Sequence, residues 1–229
     1  MANYPTSLPS ASPGFHSGVN DEIVAIGTEL GLNPKGSYAS VLARLAQAGD
    51  VHYGDPRQHD LLAWTYDPVA GSGGALAPIS GLQYFFRVRV PRTVTFTNVW
   101  WETAVVGAAL TAGANNLALY DSTGARIAET ADQTTNYTTL GIKTVAFTAP
   151  VAVTGGPTVF VWIGYKSTGT TPVGWRNIGP PNSALSNVNQ TTANYRCFTN
   201  GTNTAALMPA TITLAASVMS AAAPWLALS

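Results

Sequence analysis

The chain has 229 residues, of which 46% are hydrophobic and only 10% charged, and its 11 basic and 11 acidic residues leave a formal net charge of zero. A charged share of about 25% is usual, so either much of the surface is buried in an assembly or a neutral Thr/Asn/Ser surface covers the protein. A neutral chain excludes a nucleic-acid or anionic-membrane partner held by a basic field, and a single cysteine, Cys197, excludes an intrachain disulfide framework.

Residues 1–18 carry Pro5, Pro9 and Pro13 among Ser, Ala and Gly, with no apolar periodicity. Such a segment is extended in isolation, and its aromatics Tyr4 and Phe15 are the expected anchors onto a neighbouring protein. Met1–Gly14 has neither a basic n-region nor an apolar h-region, so a secretory signal is not expected. With one cysteine, synthesis in a reducing cytoplasm is expected.

The spacing predicts two short helices within residues 19–49. Val19, Ile23, Ile26 and Leu30 form a narrow apolar seam, with Asp21 and Glu22 at the positive end of the first helix dipole and Gly31 at its C-cap. Asn33-Pro34-Lys35-Gly36 supplies a turn, and Ser37 caps a second helix in which Tyr38, Val41, Leu42 and Leu45 share a face up to Gly49. Helices of about three turns are not stable alone in water. Their stripes need a partner, and further copies of the same chain are the economical one.

Residues 50–78 read as a linker. His52 and His59, with Asp55 and Asp60 nearby, lie seven residues apart across a Gly and a Pro, which does not match metal-ligand spacing; no metal is expected. No stretch approaches the roughly 20 apolar residues that span a bilayer.

From Ile79 onward the period changes to two. Phe86, Val88 and Val90 alternate with Arg87 and Arg89; Thr93–Trp101 alternates similarly before its adjacent tryptophans. Further strands are expected at Asn116–Tyr120, Arg126–Thr130, Thr144–Thr148, Thr158–Tyr165, Ala210–Leu214 and Trp225–Leu228. Asp121-Ser122-Thr123-Gly124, Thr154-Gly155-Gly156-Pro157 and Gly179-Pro180-Pro181-Asn182 are turn signals between them. The fold class is therefore mainly β: an antiparallel, jelly-roll-like β-sandwich over residues 79–229, preceded by a helical hairpin and an extended arm. Asn177–Asn203 is the longest irregular stretch and is expected to cover one face.

Chemistry is sparsely supplied. Residues 133–229 contain no Asp, Glu or His, and 79–132 contain only Glu102, Asp121, Glu129 and Asp132. Glycoside hydrolysis generally uses two carboxylates about 5 to 10 Å apart, and only Glu102 with Glu129 or Asp132 could form such a pair. Cys197 has no histidine in its own domain to activate it. A non-enzymatic protein without cofactors is expected. Binding is better provided for: in the pair Trp100 and Trp101 one ring must face out, Trp162 sits mid-strand and packs inside, and Trp175-Arg176 and Tyr195-Arg196 flank loops and are the expected glycan contacts.

The segment 19–45 resembles a stretch in tail and fibre proteins of bacteriophages, particularly those of actinobacteria. The shared elements are Asn20-Asp21-Glu22-Ile23, Glu29-Leu30-Gly31, Asn33-Pro34-Lys35-Gly36-Ser37-Tyr38 and Val41 with Ala43-Arg44-Leu45. More loosely, Arg87–Pro91, Leu119–Gly124, Thr130–Gln133 and Pro224–Leu228 resemble the distal domains of such minor tail proteins. The resemblance implies a virion protein made in the host bacterial cytoplasm, typically a homotrimer, that docks on other tail or capsid proteins. It further implies a jelly-roll tip that contacts a host-surface glycan. A glycan-binding receptor-recognition module, or a depolymerase, are the alternatives.

Overall fold

Inward apolar and outward polar side chains alternate along the two longest early strands and decide how the chain folds back on itself. Phe86, Val88 and Val90 are buried, whereas Arg87 is half-buried and Arg89 exposed. In the following strand Phe96, Val99 and Trp101 are fully buried and Trp100 is half-buried, with the alternation reset by a β-bulge between Phe96 and Asn98.

The structure, a computed structural model, describes residues 55–70, 74–177, 183–221 and 223–229, all within a unit spanning Tyr53–Ser229. The expected docking anchors Tyr4 and Phe15 and the expected seam residues Val19, Ile23, Ile26, Leu30, Tyr38, Val41, Leu42 and Leu45 lie outside the described residues. In chain order the first strands are β1 (Ala63–Trp64), β2 (Gly74–Leu76), β3 (Leu82–Arg89), β4 (Val94–Val105), β5 (Ala108–Leu110), β6 (Asn116–Tyr120) and β7 (Arg126–Glu129). They are followed by β8 (Gly141–Val153), β9 (Phe160–Lys166), β10 (Gly169–Thr171), β11 (Gly174–Asn177), a single helical turn α1 (Ser183–Ser186), β12 (Cys197–Thr202), β13 (Val218–Met219) and β14 (Leu226–Leu228).

The protein is mainly β, with antiparallel pairing throughout. One six-stranded sheet is centred on β4, which pairs with β8, β14 and β11; β1 extends it from β14 and β2 from β11. The other runs β13-β12-β3-β9-β6-β7, and β5 and β10 form a separate ribbon. The inner faces of both sheets meet in one core, Phe96, Val99, Trp101, Trp175 and Leu226 from the first against Tyr84, Phe86, Leu117, Ile163 and Tyr165 from the second. At its centre Trp175 stacks on Tyr165 at 3.9 Å and on Trp101 at 5.7 Å between ring centroids.

Residues 55–70 and 74–76, within the stretch expected to be a linker, are built into this unit. Leu62 and Thr65 amides donate to Leu228 and Leu226 carbonyls at 2.8 and 2.9 Å, fastening β1 to the last strand. Cys197–Thr202 is likewise a correction: inside the stretch expected to be irregular it forms β12, next to β3 in the second sheet. The loop before it is held by buried Asn187, whose Oδ1 accepts from the Arg196 and Cys197 amides at 2.8 and 3.1 Å. Ala210–Leu214 is not a strand; Thr211 makes an isolated bridge to Ala125 and Leu214 begins a 3₁₀ turn.

That segment instead covers the outer face of the second sheet. Met208 and Ile212 pack on Phe85, Tyr120, Trp162 and Phe198 in a second apolar cluster. Gly164 is where the cover comes closest: a Cβ there would lie 2.6 Å from Met208 Cε and 2.9 Å from Phe85 Cε1. The cover is pinned by Met208 N donating to Asn116 Oδ1 at 2.9 Å and Tyr120 Oη donating to the Pro209 carbonyl at 2.6 Å.

Candidate functional site

The outer face of the first sheet carries aromatic side chains that no described segment buries fully. Because Trp101 points into the core, its neighbours Trp100 and Glu102 point out. Register places Ala227 and Thr144 beside Trp100, and Ile142 beside Glu102. Alternation along β11 likewise buries Trp175 and turns Arg176 outward. With Trp225, which precedes β14, these residues line a cleft of about 280 Å³ together with His59, Leu61, Tyr66 and Pro68.

The last four come from the segment expected to be a linker. Asp55 caps the turn Pro56–His59 through the Arg57 amide at 2.9 Å, and Asp60 leaves it in a left-handed conformation with φ of 56°. This brings His59 against Trp64, with ring centroids 5.5 Å apart. Trp100 is fixed by its indole N–H, which donates to Ser229 Oγ at 2.9 Å. Trp225 is tied to β11 through its amide, a donor to the Arg176 carbonyl at 2.8 Å. Its indole Nε1 is buried and makes no hydrogen bond among the described residues.

Electrostatically the cleft is self-neutralised. Arg176 Nη2 donates to Glu102 Oε1 at 2.7 Å, with both side chains about one-third exposed. Burial, reinforced by Glu102 and partly offset by Arg176, pushes the Tyr66 phenol far above its ordinary range, so it remains neutral. Its Oη lies 3.5 Å from the Arg176 carbonyl, at the outer limit of a hydrogen bond. The cleft thus offers aromatic faces, one salt-bridged carboxylate–guanidinium pair and a neutral hydroxyl.

Of the four expected glycan contacts, only Arg176 reaches this cleft. Trp175 is fully buried in the core and has no face to offer a ligand, because strand alternation rather than loop proximity sets its direction. Tyr195 is half-buried beside Phe198, its carbonyl accepting from the Trp162 indole at 2.9 Å. Arg196 is exposed and donates to the Thr65 carbonyl at 3.1 Å. Of the other cleft residues, Trp100 belongs to the pair in which one outward ring was expected, whereas Trp225, Tyr66 and His59 were not expected to share a site. The outward-facing member of the Trp100-Trp101 pair was foreseeable; the other three needed the pairing of β1 and β14.

Neither Glu129 nor Asp132 lines the cleft that holds Glu102. Glu129 belongs to β7 in the other sheet and pairs with Arg126 at 2.7 Å, and Asp132 accepts from the Asn115 amide at 3.0 Å. His59, expected to belong to a separate linker, shares the cleft with Glu102, and no hydrogen bond joins the two among the described residues. Cys197 is buried, and burial pushes its thiol up to about 11, an unreactive form at neutral pH. Among the described residues no cluster of His, Cys, Asp and Glu could hold a metal ion. No helix among them is long and apolar enough to cross a membrane. No protein-family model matches the chain, and no curated protein sequence matches it.

Proposed function

We propose that the chain is a non-enzymatic structural protein of a bacteriophage particle, in which residues 1–18 dock on another virion protein, residues 19–49 join three copies, and the β-domain faces outward as a recognition module. On this reading the β-domain is a jelly-roll type of sandwich, which fits the repeated passage of the chain between sheets, as from β3 to β4 and from β8 to β9.

The observation that carries a binding rather than a catalytic role is the state of Glu102. Among the described residues it is the one carboxylate that lines the cleft, and its Oε1 is held by Arg176. A paired carboxylate orients a ligand; hydrolysis of a sugar bond calls for a second carboxyl group at about 5 to 10 Å. Assembly is supported by the zero net charge, the sparse charges and β13, an edge strand with exposed Val218 and Met219 of the kind assemblies cover.

The test is the solution mass of the full chain beside that of residues 53–229. A trimer for the full chain and a monomer for the shorter one is the expected result. A full chain that is monomeric at all concentrations would contradict the assembly.

A further inference from the structure

We propose that the cleft on the outer face of the first sheet binds a neutral pyranose oligosaccharide, the ring lying on Trp100 and Trp225 and its hydroxyls engaging Glu102 and Tyr66. The proposal deepens the recognition role above by naming its ligand class, and it rests on that role only for its biological setting.

Size comes first: at about 280 Å³ the cleft lies near the lower end of the roughly 300–1,000 Å³ of small-molecule sites, space for one sugar residue of a longer chain. Shape follows from the side chains. Trp100 and Trp225 present flat apolar surface, with Ile142 beside them 66% exposed, and a pyranose offers the matching flat, hydrogen-rich face.

Charge selects among ligands with such a face. Glu102 and Arg176 already neutralise each other, so a carboxylate or ammonium on the ligand gains little and must be desolvated. Hydroxyls suit the site better. Glu102 accepts charge-assisted hydrogen bonds, and the Tyr66 phenol, kept neutral by burial, donates or accepts.

Calorimetric titration of the full chain tests this, using tetrasaccharides of β-1,4-glucose, α-1,4-glucose and β-1,4-N-acetylglucosamine, with tetragalacturonate as the charged comparator. Saturable binding of at least one neutral tetrasaccharide is expected, weakened at least ten-fold by Trp100→Ala and by Ile142→Arg. The second variant sits at an exposed position and blocks the cleft without opening the core. Tyr195→Ala, in the other sheet's cover, is expected to bind as the parent does. The proposal is overturned if none of the neutral sugars binds, if tetragalacturonate binds more tightly than all of them, or if both cleft variants bind normally. Loss of sugar binding by a chain that still forms trimers removes the ligand and leaves the assembly; binding by a monomer does the reverse.

Discussion

The two sheets present opposite solutions for their outer faces. On the second sheet the outward-pointing Phe85, Tyr120, Trp162 and Phe198 lie beneath Met208 and Ile212, and the chain seals its own aromatic surface. On the first sheet Trp100 and Trp225 are only half-buried, and they face a cleft that also holds a charged pair. The same residue type is therefore sealed into packing on one face and left partly open beside a cleft on the other. What decides between them is a segment distant in sequence, not the strand's own pattern.

The largest effect should come from removing matched tryptophans. Trp162→Ala opens the covered face and should cost about 3–5 kcal/mol, as should Trp175→Ala in the shared core. Trp100→Ala, on the open face, should cost clearly less. Denaturant midpoints at a common slope measure all three. Equal costs for Trp162 and Trp100 would break the distinction between the faces.

A pH experiment reads the cover itself. Lys166 is buried, and its Nζ donates to the Ala206 carbonyl of the covering segment. Burial lowers its pKa from 10.5 to about 8. Between these values the unfolded chain binds the proton that the folded one has released, so stability should rise with pH. Below about pH 8 the cost of the buried charge is present in full. Lys166→Met should abolish this rise between pH 8 and 9.5, measured by urea unfolding; a parent profile flat over that window would place the amine in water.

Asp121 anchors the turn against which the cover folds. Its Oδ1 accepts from the Thr123 amide and hydroxyl at 2.8 and 2.6 Å and from the Ala125 amide at 3.1 Å. Gly124, at φ +87°, completes the turn and accepts from the Ile212 amide at 2.9 Å. Burial alone would raise the carboxyl pKa, but hydrogen bonds from Thr123, Ala125 and Gly124 outweigh it and hold it below 3.8. Its stabilisation is therefore present above the unfolded value and lost as pH falls through the folded one. Asp121→Ala should cost about 1–3 kcal/mol near neutral pH, and the difference from the parent should shrink in acid.

The smallest effect on stability belongs to the cleft. Glu102→Gln removes one member of a partly exposed ion pair, and such pairs contribute about 0–1 kcal/mol. The melting temperature should hardly move, whereas sugar binding should weaken. A large destabilisation would mean that the pair is structural.

Much of the β-domain was legible because period-two alternation is a local signal. β6 falls where expected, β3 and β9 nearly so, and the Asp121–Gly124 turn forms as its residues suggest. Of the short strands, β7 and β14 fall within expected segments, but β1, β2 and β11 were not legible, because their pairing depends on partners far along the chain. β12 was hidden by Thr199, Asn200, Gly201 and Thr202, which read as a loop. The cleft inherits these gaps. Trp100 could be assigned an outward direction from its neighbour alone, but the residues that share the cleft with it, Tyr66, His59 and Trp225, required knowing that Ala63–Trp64 pairs with Leu226–Leu228. Trp175 was misplaced because nearness to a loop was weighed above the inward direction that its strand imposes.

The most direct test follows the indole N–H resonances of the six tryptophans while a neutral tetrasaccharide is added. The Trp100 and Trp225 signals should shift with saturation, and those of Trp101, Trp162 and Trp175 should stay in place. Shifts centred on Trp162, or a titration in which no indole moves, would contradict the assignment of recognition to the open face.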